Sequence, residues 1–256
     1  MNRPVQPLPT PAPVLAPHAP LPAWYGDEDE HQRFLRSIFD DTAPDYERIE
    51  RILALGSGPR YRRKALQDAG LAVGADVLDV GIGTGLMARE ALGLIGPKGR
   101  LVGVDPSPGM MGEVGIAGLE LLQGRAEALP RPDASCDFLC MGYALRHIAD
   151  VSAAFAEFER VLRPGGRVLV LEITRPASPV GNALLKAYMR TVVPLIARLV
   201  SGGHDNARLW RYYWDTIEAC IAPEAVLAAL GSARFTDVRR TVDLGIFSAY
   251  TAVKPA

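Results

Sequence analysis

Val77-Leu78-Asp79-Val80-Gly81-Ile82-Gly83-Thr84-Gly85 is an apolar run carrying one acid, followed by three glycines at alternate positions. An apolar run, a glycine-rich loop and then a helical pattern read as strand, tight turn and helix. Glycine tolerates positive φ and lets another molecule approach the backbone closely. The following helix, with Leu86, Ala91, Leu92 and Ile95 on one face, points its free N–H groups at the loop, which suits a ligand bearing a carboxylate or phosphate. Spacing narrows the ligand. A dinucleotide loop needs G-x-G-x-x-G; here Leu86 follows Gly85 and the third glycine comes one residue early, against a nicotinamide-dependent reductase. No Gly-Lys-Ser/Thr of a P-loop is present. A plain β–α connection would use the same glycines. The second apolar run, Arg100-Leu-Val-Gly-Val-Asp105, argues for a ligand site, because its acid falls about 20 residues past the loop, where ribose hydroxyls are bound.

Composition bounds the rest. The chain has 256 residues, 48% hydrophobic, with a formal net charge of −1. That predicts one large domain with an appended segment and no nonspecific attraction to nucleic acid. Cys136, Cys140 and Cys220 cannot all pair; they read as reduced thiols of a cytoplasmic protein, without a metal site. No stretch reaches the roughly 18 apolar residues of a membrane span.

In chain order, residues 1–26 are Pro- and Ala-rich and read as a disordered tail, too interrupted by prolines for a signal peptide. Residues 27–70 read as a helical lid. One helix carries Phe34, Leu35, Ile38 and Phe39, a break is expected over Asp40–Tyr46, and a second helix carries Tyr46, Ile49, Ile52 and Leu53. Phe39 and Tyr46 are expected to face substrate. Arg60, Arg62, Arg63 and Lys64 form a basic helix, either a solvated face or part of the lid. Residues 71–175 alternate strands (76–80, 100–105, 119–123, 136–142, 167–172) with helices, including 151–162, which predicts an α/β fold with a parallel sheet covered on both faces. Ligands bind such sheets at the strands' C-terminal ends, where Gly81–Gly85, Asp105, Arg125 and Gly142–His147 gather. Arg163-Pro164-Gly165-Gly166 reads as a turn. In the 176–222 insertion, the apolar helical stretch 181–201 is interrupted at Pro194. With Lys186, Arg190 and Arg198 it fits a helix resting on the inner membrane surface, or a buried or dimer-forming one. Residues 223–256 hold a helix and two strands.

Two side chains past the 136–142 strand are candidates for chemistry. His147 titrates near neutrality and suits a general base; a histidine bonded to a backbone carbonyl is the alternative. Arg146 could pair with Asp150. Tyr143 and Tyr213, with Tyr212 and Trp214, could line an aromatic acceptor pocket or be plain core.

Asp79-Val-Gly-Ile-Gly-Thr-Gly85, Val104-Asp105, Ala126-Glu-Ala-Leu-Pro130, Leu162-Arg-Pro-Gly-Gly166 and Leu171-Glu172 together resemble class I S-adenosylmethionine-dependent methyltransferases. More narrowly, Phe39-Asp40 to Tyr46, Ala144-Leu145-Arg146 and Leu171-Glu-Ile-Thr-Arg-Pro176 resemble the ubiquinone/menaquinone C-methyltransferase family. The resemblance implies a Rossmann-like sheet of seven strands, the last antiparallel, with S-adenosyl-L-methionine as cofactor. It also implies that Asp79, Thr84 and the Gly81, Gly83 and Gly85 backbone hold its methionine end, Asp105 with Pro106 its ribose, and Arg125-Ala126 its adenine. Gly142 is implied near the methyl group, and Arg146 as the holder of a phenolate or of a water. The chain departs from the family at Arg125 (usually Asp or Asn), Gly142 (Ser), His147 (Asn) and Gly58 (where an early His is usual). The helix after Asp105 is cut short. A small aromatic or quinol acceptor methylated at carbon is the first expectation; N- or O-methylation of another metabolite or lipid headgroup, and a non-catalytic cofactor sensor, are the alternatives.

Overall fold

A computed structural model of the chain describes residues 14–200 and 206–256. Among them the strands form one seven-stranded sheet in the order β3-β2-β1-β4-β5-β7-β6. β1 (Asp76–Val80), β2 (Arg100–Asp105), β3 (Glu120–Gln123), β4 (Cys136–Gly142) and β5 (Leu162–Ile173) run parallel. β7 (Phe247–Val253) lies antiparallel between β5 and β6 (Thr236–Asp243). Leu78 of β1 sits in register with Val102 of β2 and Leu139 of β4. Burial on both faces is why these strands read as continuous apolar runs. One face carries α5 (Val151–Val161) and α9 (Pro223–Ser232), with Phe155 and Phe158 of α5 in one cluster with Leu78 and Leu139 of the sheet. The other carries α2 (Gly58–Asp68) and α3 (Leu86–Ile95) over Val77, Phe138 and Leu169.

A third core lies outside the sheet, where α1 (Glu28–Leu53) meets α7 (Val193–Val200) and α8 (Asn206–Ala219). Here the expected break over Asp40–Tyr46 is corrected: α1 runs 26 residues through Pro44. The residues that suggested a turn have other partners. Thr42 Oγ1 donates to the Ile38 carbonyl at 2.6 Å. Asp40 Oδ1 accepts from Ser107 Oγ and from the Gly109 N–H at the start of α4 (Pro108–Gly112), and Asp45 accepts from Arg48 and Asn206. Tertiary bonds thus take up the carboxylates that would otherwise compete for the local backbone.

Three further expectations change. The 181–201 stretch does not break at Pro194: α6 (Pro179–Ala187) passes through one π-helical turn, Tyr188–Val192, into α7. Proline lacks the N–H that would donate to the carbonyl four residues before it, and the wider turn absorbs the mismatch, with Val193 N–H reaching Tyr188 O. Residues 201–205 of the stretch and insertion lie outside the described residues. Arg163–Gly166 is not a free turn but an irregularity inside β5 opposite Cys136–Phe138, with Gly165 N–H on Lys254 O. The disordered-tail reading also fails for residues 14–26, which lie along the domain. Leu15 N–H donates to Asp150 Oδ1, Leu15 O accepts from Val151 N–H, and Pro17 O from Ile221 N–H. Residues 1–13 lie outside the described residues. No described helix is long and apolar enough to cross a membrane.

Candidate active site

At the C-terminal ends of β1, β2 and β4 the loops and α1 enclose a cavity of about 890 Å³. Its floor is the glycine loop, with φ of +69° at Gly81, +55° at Gly83 and +88° at Gly85. At Gly81 the requirement is steric as well: a Cβ there would stand 2.7 Å from the Ala144 Cβ, so glycine lets the loop and the 143–147 turn touch. Over Gly83 a Cβ would meet nothing within 4 Å, which leaves the backbone open to the cavity. The Thr84 hydroxyl is buried and has no partner among the described residues.

Asp105 closes β2 at the cavity wall. Its two oxygens accept the Gly83 and Ser107 N–H groups, each at 2.8 Å. Burial pushes its carboxyl up to about 6, with those amides pulling it down and Asp40 pushing it up. Pro106, Arg125, Ala126 and Gly142 share the wall. Arg125 is half-exposed and leans on Glu127 at 3.4 Å. A Cβ on Gly142 would come within 3.2 Å of Met87 Cγ, so any side chain here would press on Met87. Asp79 and Gly85 do not reach the cavity. Asp79 is fully buried behind the loop, with the Cys140 thiol and the Ala88 N–H beside it, and burial pushes it up to about 7.

That placement makes Asp79 a cost to the free protein. Its folded-state value lies above the unfolded value of 3.8, so the folded state holds the proton more tightly. The stability linked to it is full below the unfolded value and is lost as pH rises to about 7, on the order of 4 kcal/mol at about 1.4 per unit. Asp79→Asn should flatten this fall, leaving the ligand-free variant more stable than wild type in urea unfolding above neutrality and little changed in mild acid.

The opposite wall is aromatic. Tyr143 holds φ +61°, a left-handed conformation that costs a non-glycine residue; its N–H on Leu171 O and its carbonyl under Arg146 Nη1 hold it there. A single 3-10 turn, Leu145–His147, follows. His147 is half-buried with both ring nitrogens out of solvent, edge-on to Phe39 at 5.2 Å and stacked on Tyr212 and Tyr213 at 5.6 and 5.4 Å. Neither ring nitrogen has a hydrogen-bond partner among the described residues, so the backbone-carbonyl alternative does not hold. Burial, then the positive neighbours Arg146, His18 and His31, holds its pKa well below the usual 6.5, so the ring is neutral at physiological pH. Tyr213 Oη donates to Tyr46 Oη at 3.2 Å. Phe39, Tyr46, Tyr143 and Tyr213 all line the cavity.

Arg146 pairs with Glu172, not Asp150; both are 1% exposed. Asp150 instead caps α5 through the Ser152 and Ala153 N–H groups. The guanidinium sits 4.5 Å over the Tyr213 ring, and its Nε and Nη2 have no partner among the described residues. The basic helix is also only partly solvated: Arg62 is buried against Glu50 at 2.8 Å, and both line the cavity. Glu172, Met87 and Glu50 escaped sequence reasoning, since each meets its partner through the fold; the one available hint was an acid, Glu172, at the end of an apolar strand.

The open backbone at Gly83, the orphaned Thr84 hydroxyl and the Asp105 carboxyl on one wall fit a ligand with an amino-acid end and a sugar. Sheet order and loop together define a class I S-adenosylmethionine-dependent methyltransferase. A solved S-adenosylmethionine-dependent methyltransferase from Aquifex aeolicus shares the fold, with TM-score 0.54 and 20% identity over 75% of this chain and 88% of that one. The model of the ubiE/COQ5 methyltransferase family matches residues 27–254, and the chain belongs to that family. It is 33% identical to the ubiquinone/menaquinone biosynthesis C-methyltransferase UbiE of Syntrophotalea carbinolica, over 86% of this chain and 93% of that protein. It is 32% identical to the demethylmenaquinone methyltransferase of Thermus thermophilus, over 85% of this chain and the whole of that protein.

Proposed function

We propose that this methyltransferase C-methylates the ring of a quinol with an apolar tail, the reduced form of the acceptors named for its relatives. The observation that carries the reading is one cavity lined on one side by the Gly81–Thr84 loop and Asp105 and on the other by His147, Arg146, Phe39 and Tyr213. In this reading the Gly83 backbone and Thr84 would hold the methionine end of S-adenosylmethionine, Asp105 and Pro106 its ribose, and Arg125 and Ala126 its adenine. The cofactor supplies an electrophilic methyl group on a sulfonium. Asp79 acts from behind, by shaping the loop.

The chain's own part is to prepare the acceptor. Phe39, Tyr213 and Tyr46 sandwich an aromatic ring and exclude water, and alignment of the ring carbon with the methyl group removes several kcal/mol of the barrier. His147, neutral with both nitrogens free, takes the proton from a ring hydroxyl. The oxyanion electrons enrich the neighbouring ring carbon, which would take the methyl group that bound S-adenosylmethionine supplies; the ring proton at that carbon would pass to the oxygen, restoring the hydroxyl, and His147 would release its proton to solvent between turnovers. The free Nε and Nη2 of Arg146 hold the oxyanion in a dry site, where such bonds are strongest.

The tail needs an exit, and α6–α7 provides one. Val180, Leu184, Tyr188, Val192, Leu195 and Leu199 are exposed and fall on one stripe at spacings of three and four. Tyr188 belongs to both the stripe and the cavity wall. Lys186 and Arg190 turn inward to Glu218 and Asp215 of α8, so the stripe meets a bilayer through apolar contact rather than charge. Peripheral membrane contact at this stripe follows. The test supplies the enzyme with a reduced, demethylated naphthoquinol carrying either no tail or a long isoprenoid tail in vesicles. Wild type should C-methylate both. Leu184→Glu with Leu195→Glu should cut turnover of the vesicle-borne acceptor by up to about 10³-fold, from the lost burial of about 2 kcal/mol per side chain, and spare the tailless one. No C-methylated product from either acceptor refutes the proposed reaction. Equal loss on both acceptors removes the membrane role, and a dimer that dissociates in the double variant assigns the stripe to a second copy.

A further inference from the structure

The chain segment ahead of the matched family span, residues 14–26, meets the active site from behind at one residue. His18 is buried, and its Nε2 lies 3.1 Å from the carbonyl oxygen of Arg146. A carbonyl only accepts, so this bond forms when Nε2 carries a proton. The carbonyl of Arg146 and the N–H of His147 belong to one peptide plane. The N–H end is held by Ala144 O at 3.0 Å, and the C=O end by His18. With both ends tied, the plane cannot rotate, and the direction in which the His147 side chain leaves the backbone is set. The plane sits in a 3-10 turn of only three residues, which has few internal bonds to fix it.

The same segment also supports the His147 ring. His18 packs edge-on to His31 at 6.0 Å, His31 Nε2 lies 3.3 Å from Tyr212 Oη, and Tyr212 stacks on His147. The segment is itself anchored at both ends. Leu15 and Pro17 bond to the start of α5 and to Ile221, and Trp24 Nε1 donates to Asp215 of α8 at 2.9 Å. His18 Nδ1 lies 2.8 Å from Ala19 O, also an acceptor, so a ring with one proton bonds one of the two carbonyls and a doubly protonated ring bonds both.

We infer that residues 14–26 are a strap built into the active site, and that His18 is a positioning residue that holds the Arg146–His147 peptide so that His147 points at the acceptor hydroxyl. The inference rests on the catalytic reading of His147 given above. An error in direction at a proton-transferring group lowers the chemical step while leaving distant binding contacts intact.

Two variants of the full chain separate this role from packing. His18→Phe keeps a ring of similar size and removes the donor. His18→Gln keeps an N–H near the position of Nε2. With a tailless quinol acceptor, His18→Phe should lower kcat about tenfold, with the KM for acceptor and the affinity for S-adenosylmethionine within about twofold of wild type, and His18→Gln should recover most of the rate. Wild-type kcat in His18→Phe overturns the inference, and so does equal loss in both variants, which would mark His18 as a packing residue. Thermal unfolding of each variant, run alongside, identifies a loss that comes only from unfolded protein; His18→Gln at wild-type stability but with the rate of His18→Phe also overturns the inference. His147→Phe, assayed in parallel, keeps the two ideas apart: if it turns over normally, the catalytic reading of His147 has failed, whatever His18 does. If it is inactive while both His18 variants behave as wild type, the catalytic reading stands and the strap's role falls.

Discussion

His147→Ala should lose methyl transfer by about 10²- to 10³-fold in kcat, the span a positioned general base supplies, while S-adenosylmethionine binds with unchanged affinity by calorimetry. The separation is expected because His147 stands on the aromatic wall and the glycine loop with Asp105 stands on the other. His147→Phe should lose as much, although it preserves the stacking on Tyr212 and Tyr213; that variant removes proton chemistry without opening a void. The pH profile carries an independent signature. Burial and the positive charges around it hold His147 below the ordinary 6.5. Wild-type kcat/KM should therefore stay level as pH falls through 6.5 and drop only in a more acidic limb, and the limb should vanish from the residual activity of His147→Phe. The same depressed value acts on stability. The unfolded chain takes up the proton first, so the contribution of His147 is complete above 6.5 and is lost as pH falls toward the folded-state value. A rate that falls with an inflection at or above the ordinary histidine value, or a His147→Phe enzyme at wild-type rate, would falsify the assignment.

The second large effect concerns the pair beneath that residue. Glu172→Gln should destabilise the fold by about 3 to 5 kcal/mol, because it leaves the Arg146 guanidinium buried without its counter-charge. Burial alone pushes the Glu172 carboxyl up, and Arg146 with the Ile173 and Arg146 N–H groups brings it down. Burial outweighs them, so the carboxyl stays above its usual range although it touches Arg146 directly. A buried pair of this kind is weak evidence of net stabilisation, which makes the double variant informative. Arg146→Met with Glu172→Leu removes both charges and keeps volume. It should unfold in urea at a midpoint well above the single variant and near wild type, yet transfer no methyl group, since no donor then faces the acceptor oxygen. A fully active double variant would confine Arg146 to a structural role; a double variant as unstable as Glu172→Gln would show that the pair, not the orphaned charge, holds the turn.

The active-site reading was legible in sequence wherever chemistry and backbone coincide. Gly81, Gly83 and Gly85 announced positive φ by their spacing, and each adopts it. Asp105 announced itself as the acid ending the second strand, and it lines the cavity. The cut-short helix after Asp105 is the five-residue α4. What misled was local grammar with distant satisfaction. Asp40, Thr42 and Pro44 look like a break because nothing nearby in sequence reveals that Ser107 and Gly109 take the Asp40 carboxylate. Residues 14–26 look like an untethered tail because Asp150 and Ile221, which hold Leu15 and Pro17, lie more than a hundred positions away. Arg146 was matched to the acid nearest in sequence, and the parallel pairing of β4 with β5 brought Glu172 instead.

From its sequence alone this protein's sheet, its glycine loop and the class of its cofactor follow, because apolar period, glycine spacing and an acid at a strand end are properties of short stretches. Which charges meet, which way His147 faces, and that residues 14–26 pack behind the Arg146–His147 turn appear only in three dimensions. Those contacts join residues far apart in the chain, and a buried polar group must find its partner wherever the packed fold supplies one.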